Sequence, residues 1–276
     1  MTAQLSAEAK TPTTARRRGG RPSRPVVRGP LQVWTLRIAL MIVLVVLWQV
    51  IGGQSSRLEF FISKPTAVWQ SLVTILPTQN FWTDMYYTMY ETVVGFVIGA
   101  VAGILCGFAL AFSITVHRVV DPVMSALNSL PRIALASLFI LWFGLGIESK
   151  IALIVSLVFF PLFLNAYKGA TTIDPDYSLL MHTLRANRLQ YVRKVVLPST
   201  APWVLTGAKL GVAQALGGAV VGEIIAAQHG LGAALNQAAG SFDTGLEFAI
   251  LLVLIVVAMI LNEVFEYFES RISSWR

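Results

Sequence analysis

The sequence is short of the residues on which soluble proteins rely. Charged residues make up only 13% of its 276 positions, against about a quarter in soluble domains, so the chain is too apolar for water. It has one cysteine, Cys106, which excludes an intramolecular disulfide and any cysteine-based zinc site. Cys106 falls inside an apolar run and reads as a small buried hydrophobe. The three histidines, His117, His182 and His229, have no partners at metal-ligand spacing, so no metal site is expected. No phosphate loop, nucleophile elbow or H-E-x-x-H pair is present. "GLGIESK" (Gly144–Lys150) lacks the glycine before its lysine. The chain is therefore not expected to hydrolyse ATP itself, to carry an enzyme constellation or to hold its own cofactor.

What is abundant is hydrophobic length. Apolar residues make up 55% of the chain, gathered into runs close to the roughly 20 residues that cross a bilayer as a helix. Six spans are expected, at about 33–51, 92–112, 122–144, 150–167, 201–226 and 246–266. The third is interrupted near "LPR", and Pro161 is expected to kink the fourth. The fold class is all-α integral membrane, residues 31–272 forming one transmembrane domain. Residues 1–30, rich in Pro, Gly and Arg, read as a disordered basic cytoplasmic tail. "RRR" within them raises an export signal, but the run that follows is long and lacks a cleavage site, so a retained span is expected.

The net charge of +7 could point to nucleic acid in a soluble protein. Here the basic residues lie between the apolar runs and report topology, and no nucleic-acid partner is expected. Most Lys and Arg fall on segments that share a side with the N-terminus, whereas Arg57, Lys64 and Lys150 fall on the other side. Both termini are therefore expected inside, in the cytoplasm, with residues 53–90 outside. Within that segment "SKPTAVWQSLVTIL" reads as an interfacial helix with Pro65 near its start and Val68, Leu72, Ile75 and Leu76 on one face.

Two spans carry glycine faces. Gly95, Gly99, Gly103 and Gly107 recur every fourth residue in the second span. Gly207, Gly211, Gly218 and Gly222, with Ala215, repeat the idea in the fifth. Such faces let helices approach closely where lipid gives no hydrophobic drive to pack. They serve static packing, or a smooth surface along which helices slide, or both. Intramembrane polar residues are site candidates by default. Asn128, Arg132, Ser137, Gln214 and Glu223 are the candidates for a translocation pathway. Arg132, after Pro131, also fits loop-edge solvation. Glu223 fits a pathway or a structural pair, and Lys209 fits snorkelling to the interface.

"DPDYSLLMHTLRANRLQYVRKVVLP" is a basic, amphipathic island between the fourth and fifth spans. Asp174 reads as an N-cap with Pro175 at the first helical position, the helix running to about Leu184. Asn187 and Gln190 form a capping-box pattern for a second helix, with Leu189, Val192 and Val196 on one face. Both helices are too short to span, so the expectation is a hairpin (174–197) closed by Pro198. It could lie on anionic lipid or dock to a partner.

The hairpin resembles the "EAA" loop in the membrane subunits of binding-protein-dependent bacterial ABC importers. That pattern runs E-A-A, three residues, Gly, nine residues, Ile, one residue, Leu-Pro. Counting back from Leu197-Pro198, Val195 takes the Ile position, Arg185 the Gly position, and Leu179, Leu180 and Met181 the E-A-A positions. "DPVMSALNSLPRIALASLFILWFGLGIESKIALI", "FFPLFLNAYKGA" and "VVGEIIAAQHGLGAAL" resemble the nitrate, sulfonate and taurine branch, and the likeness runs through about 33–272. The resemblance implies a MetI-like permease fold in the bacterial inner membrane, paired with a second permease copy as a homodimer or a heterodimer. It implies two ATP-binding cassette subunits that carry ATP and Mg2+, and a periplasmic or lipid-anchored substrate-binding protein. It assigns ATPase coupling to Leu179, Thr183, Leu184, Arg185, Ala186, Asn187, Arg188, Val195, Leu197 and Pro198, and transport to a small anion such as a sulfonate, taurine or a nitrate-like solute.

Three departures stand out. Arg185 replaces a turn glycine, Leu179 replaces a glutamate, and Ser137 replaces a proline of the third span. The chain could work with an adapted ATPase, be the weaker half of a heterodimer, or be impaired. The competing function is an ion-gradient-driven transporter or channel, which would call for paired intramembrane carboxylates and inverted repeats. Glu223 is the one deep acid legible in the sequence. A membrane scaffold without transport would have no need of the capped basic hairpin.

Overall fold

The computed structural model describes residues 30–112 and 114–273, whose regular elements are all helical. The basic tail at 1–29 lies outside the described residues. The chain divides into two compact units, Met1–Leu47 and Trp48–Arg276. The first contains the start of α1 (Pro30–Gly53), an apolar helix in which the Arg37 guanidinium lies 5.5 Å from the Trp34 ring centre.

The second unit continues with α2 (Ser56–Ile62), α3 (Pro65–Ile75), α4 (Gln79–Ala111), α5 (Ile114–Ser129) and α6 (Ala136–Phe143). There follow α7 (Ile147–Thr171), α8 (Pro175–Thr183), α9 (Arg188–Tyr191), α10 (Leu197–Ala226), α11 (Leu231–Gly240) and α12 (Thr244–Ser273). Among the described residues five helices are long and apolar enough to cross a membrane, and a sixth span is formed if a broken pair is counted as one. That pair is Pro122–Ser129 and Arg132–Phe143, bent by 84°. Pro131 makes the break. It has no N–H for the preceding turn, its ring bars Leu130 from helical backbone, and a tight turn at Arg132–Leu135 restarts the helix.

Several boundaries differ from the sequence reading. α4 starts at Gln79, well before the apolar run at 92, because Thr78 caps it by accepting from the Phe81 N–H at 3.4 Å. Residues 79–90, expected in an outer segment, therefore extend the same helix that carries the second span. α7 runs unbroken through Pro161. Pro65 does open α3, with Val68 and Leu72 buried, but Leu76 is exposed. Cys106 is exposed rather than buried, because it sits off the α4 face that carries Gly103 and Gly107.

That glycine face and the one on α10 both turn to α7. A methyl group on Gly103 would lie 3.1 Å from the Phe163 nitrogen, and one on Gly207 would lie 2.9 Å from the Pro161 carbonyl oxygen. α7 is thus gripped between two helices whose backbones approach its own, around buried Ile154, Val158 and Leu162. Van der Waals contact at this range is the main adhesion open to helices in lipid. A second core, with Val68, Leu72, Leu216, Leu231, Ile250 and Val253, joins α3, α10, α11 and α12.

Candidate functional site

Two polar regions stand at opposite ends of α10. At its start is the hairpin. Asp174 Oδ1 accepts from the Asp176 N–H at 3.0 Å and caps α8. α8 ends with the Ala186 N–H on the Met181 carbonyl and the Arg185 N–H on the His182 carbonyl, both at 3.0 Å. This is the 6→1, 5→2 pairing that closes a helix around a left-handed residue. That residue is Arg185, at φ +52°, so the arginine occupies the backbone state for which a glycine is suited. Asn187 and Gln190 form the reciprocal box, at 2.8 and 2.9 Å.

The hairpin does not close at Pro198. Helical backbone continues from Arg188 to Ala226 through a wide π-turn at Val192–Val196, where the Leu197 N–H reaches the Val192 carbonyl. Pro198 cannot donate to the turn before it, and the wide turn absorbs the mismatch without ending the helix. Leu179, Leu184 and Leu189 are 67%, 65% and 75% exposed. Leu189 therefore does not share a packed face with buried Val196. Thr183, Arg185, Asn187 and Arg188 are also exposed, Ala186 and Pro198 are half-buried, and Leu197 is exposed. Val195, grouped with them by sequence, is buried in the chain itself.

At the far end of α10 a polar stripe on α4 faces inward. Asp84, Tyr87, Thr88 and Glu91 recur at helical spacing. Glu91, fully buried, has Lys150 Nζ of α7 at ion-pair range, 2.7 Å from Oε1. Lys150 is itself buried, and its stem passes Gly222 of α10, where a methyl group would stand 3.1 Å from Cγ. Lys150 is therefore no solvated loop residue, and Glu223 is not the one deep acid. Glu223 accepts from the Thr88 hydroxyl and from the Gly232 N–H, each at 2.7 Å. The signal for this cluster was the i, i+4, i+7 spacing of Asp84, Thr88 and Glu91. Hydropathy alone does not mark it, because the apolar run begins one residue after Glu91.

Of the five pathway candidates, the structure brings Asn128 and Arg132 together, through a contact from the guanidinium to the Asn128 side-chain oxygen. The same guanidinium lies 4.3 Å from the Phe160 ring centre. Arg132 Nε and Gln214 Oε1 are buried and meet no hydrogen-bond partner among the described residues. Ser137 turns back to the Ala134 carbonyl at 3.1 Å. Glu223 stands apart, committed to Thr88 and Gly232. Lys209 pairs with Glu266 of α12 at 2.6 Å, both side chains half exposed.

Comparison with known proteins matches residues 99–274 to the family described as binding-protein-dependent transport system inner membrane component. The chain is 36% identical to the formylaminopyrimidine transport permease protein of Halalkalibacterium halodurans over 58% of its length, a match that spans 64% of that relative. It is 28% identical to the taurine transport system permease protein of Escherichia coli, over 87% of this chain and 90% of the relative. Its fold is similar to a chain of the MetNI methionine ABC transporter in an inward-facing conformation. The TM-score is 0.60 at 18% identity, covering 74% of this chain and 97% of the other.

Proposed function

Because the chain belongs to the binding-protein-dependent transport system inner membrane component family, we propose that it is the multi-pass, non-catalytic permease subunit of an ABC importer. It works as a dimer, with two ATPase subunits against the hairpin and a binding protein at the opposite face. Both termini and the hairpin face the cytoplasm of a bacterial inner membrane. The observation that carries this reading is the hairpin: locally capped at both helices, buried nowhere along α8, and continuous with a 30-residue spanning helix. A segment that exposes Leu179, Leu180, Leu184 and Leu189 beside Arg185, Arg188, Arg193 and Lys194 fits an apolar socket with an acidic rim. In this chain, which lacks the E-A-A carboxylate, that is the surface the ATPase must offer. Displacement of the hairpin then passes into α10 without a joint.

The cargo we propose is a small anion of the sulfonate type. Its support is the relatedness to the taurine permease along most of both chains, and Arg132 with Asn128 on the broken span. The deep carboxylates would not repel such a cargo. Glu91 faces Lys150, and Glu223 faces a helix N-terminus, where the dipole favours negative charge. The same commitments count against an ion-gradient-driven transporter, because each acid is engaged within the bundle, Glu91 by Lys150 and Glu223 by Thr88 and Gly232.

The test is co-purification of the full chain with its ATPase. A stable complex that is lost on deleting residues 174–196 supports the proposal. A monodisperse chain that transports without ATP overturns it. A binding protein that loads a neutral heterocycle instead of a sulfonate overturns the cargo alone.

A further inference from the structure

α11 has no cap of its own. It follows a glycine, and its first backbone donors are met by side chains from two other helices. The Gly230 N–H donates to Asp84 Oδ1 at 2.8 Å, the Leu231 N–H to Thr88 Oγ1 at 2.8 Å, and the Gly232 N–H to Glu223 Oε2 at 2.7 Å. The Thr88 hydroxyl donates to Glu223 Oε1 at 2.7 Å, so the two helices that supply acceptors are also tied to each other. His229 stacks on Tyr87 with ring centres 5.1 Å apart, which sets the approach of the loop. Gly230 sits at φ +120°, and a side chain there would run into the Glu223 carboxylate. A methyl group on Gly232 would stand 2.8 Å from Glu223 Cβ. The loop can lie on Glu223 only because both residues are glycine.

α11 lends residues to two cavities. One, of about 680 Å³, includes Tyr87, Glu148, Lys150, His229 and Asn236 in its lining. The other, of about 330 Å³, includes Phe81, Asp84, Ala234 and Gln237. We propose that Asp84, Thr88 and Glu223 are positioning residues that cap α11 from outside and hold it in place beside these cavities. Because Glu223 belongs to the helix that begins at the hairpin, α11 is fixed to the element that ATPase movement displaces. That consequence rests on the function proposed above; the clamp itself does not.

The test uses the full chain in permeabilised membrane vesicles without nucleotide, with Cys106→Ser as background and a reporter cysteine at Ala238, a buried position on α11, labelled by a polar maleimide. Thr88→Val, close in shape but unable to accept or donate, should raise the labelling rate at least tenfold, and Glu223→Gln, which leaves one donor unmet, should raise it too. Thr88→Ser, which restores the hydroxyl, should label at the parent rate. A control cysteine at Ser178 on the hairpin should label equally in every variant. The proposal is overturned if Thr88→Val labels at the Thr88→Ser rate, or if the control rises with the reporter, since the effect is then general unfolding and not release of α11. Failure of an ATPase to co-purify would sink the proposed function and leave these labelling rates as they stand.

Discussion

The two ends of α10 solve one problem in opposite ways. Every helix terminus leaves backbone groups without partners. At the hairpin the partners are local: Asp174 serves Asp176, Asn187 and Gln190 serve each other, and the Arg185 turn satisfies the carbonyls of Met181 and His182. At α11 they come from other helices, at sequence separations of 146 for Asp84, 143 for Thr88 and nine for Glu223. A locally capped element needs no distant side chain to satisfy its ends and is free to offer its surface to another protein. An element capped in trans exists only where the bundle holds it. The hairpin is therefore built for docking and the far end for rigidity.

The largest effect should come from the buried end. Lys150→Met removes the counter-ion of Glu91, which has no exposure. Stranding a buried charge costs about 3–5 kcal/mol. The purified chain should lose its folded, monodisperse form, or unfold at a markedly lower temperature in detergent. Replacing both partners, Lys150→Met with Glu91→Met, should restore most of the loss, because two apolar groups of similar size fit where an ion pair stood. If Lys150→Met unfolds at the parent temperature, the far end is not the rigid one and the contrast fails.

A charge on the hairpin should do the reverse. Leu184→Asp and Leu189→Asp sit at exposed positions, where substitutions move stability by only about 0.5 kcal/mol. The unfolding temperature should hold while the ATPase no longer co-purifies. A smaller change is expected from Asn187→Ala. Loss of an N-cap costs about 1 kcal/mol, felt here in the first turn, Arg188–Tyr191. Hydrogen exchange should quicken about fivefold at Arg188–Tyr191 and stay constant in α4, α7 and α10. If exchange also rises along α10, the hairpin and the span are energetically one unit, and the contrast between the ends is weaker than the caps suggest.

The same contrast explains what could be read in advance. The hairpin was legible because its signals are local: Asp-Pro at one cap, Asn-x-x-Gln at the next, Leu-Pro at the exit. The glycine faces were legible because period four survives in any run of sequence. Pro198 misled, because a proline reads as a stop unless the turn before it can widen, and widening depends on how Val195 and Val196 pack. The far cluster was lost for a different reason. Asp84 and Gly230 have meaning only as a pair, and no window of sequence holds both. Lys150 looked like a loop cation because its partner, Glu91, lies on another helix.

The smallest effect tests the hairpin at its oddest residue. Arg185 is an L-residue with a full side chain in the left-handed region, at φ +52°, a state that costs about 1 kcal/mol or more without glycine. Arg185→Gly should relieve that strain but widen the unfolded ensemble, so the net change in hairpin stability should stay within about 1 kcal/mol. The turn itself should persist, since its two hydrogen bonds come from backbone groups. What then differs is the guanidinium alone, exposed at the tip between two leucine-bearing helices. If ATPase co-purification holds or improves, arginine is merely tolerated in the turn and the socket reads the leucines. If it falls at least tenfold while hydrogen exchange in α8 is unchanged, the charge at Arg185 is itself a docking contact, and the partner groove must carry an acid opposite it.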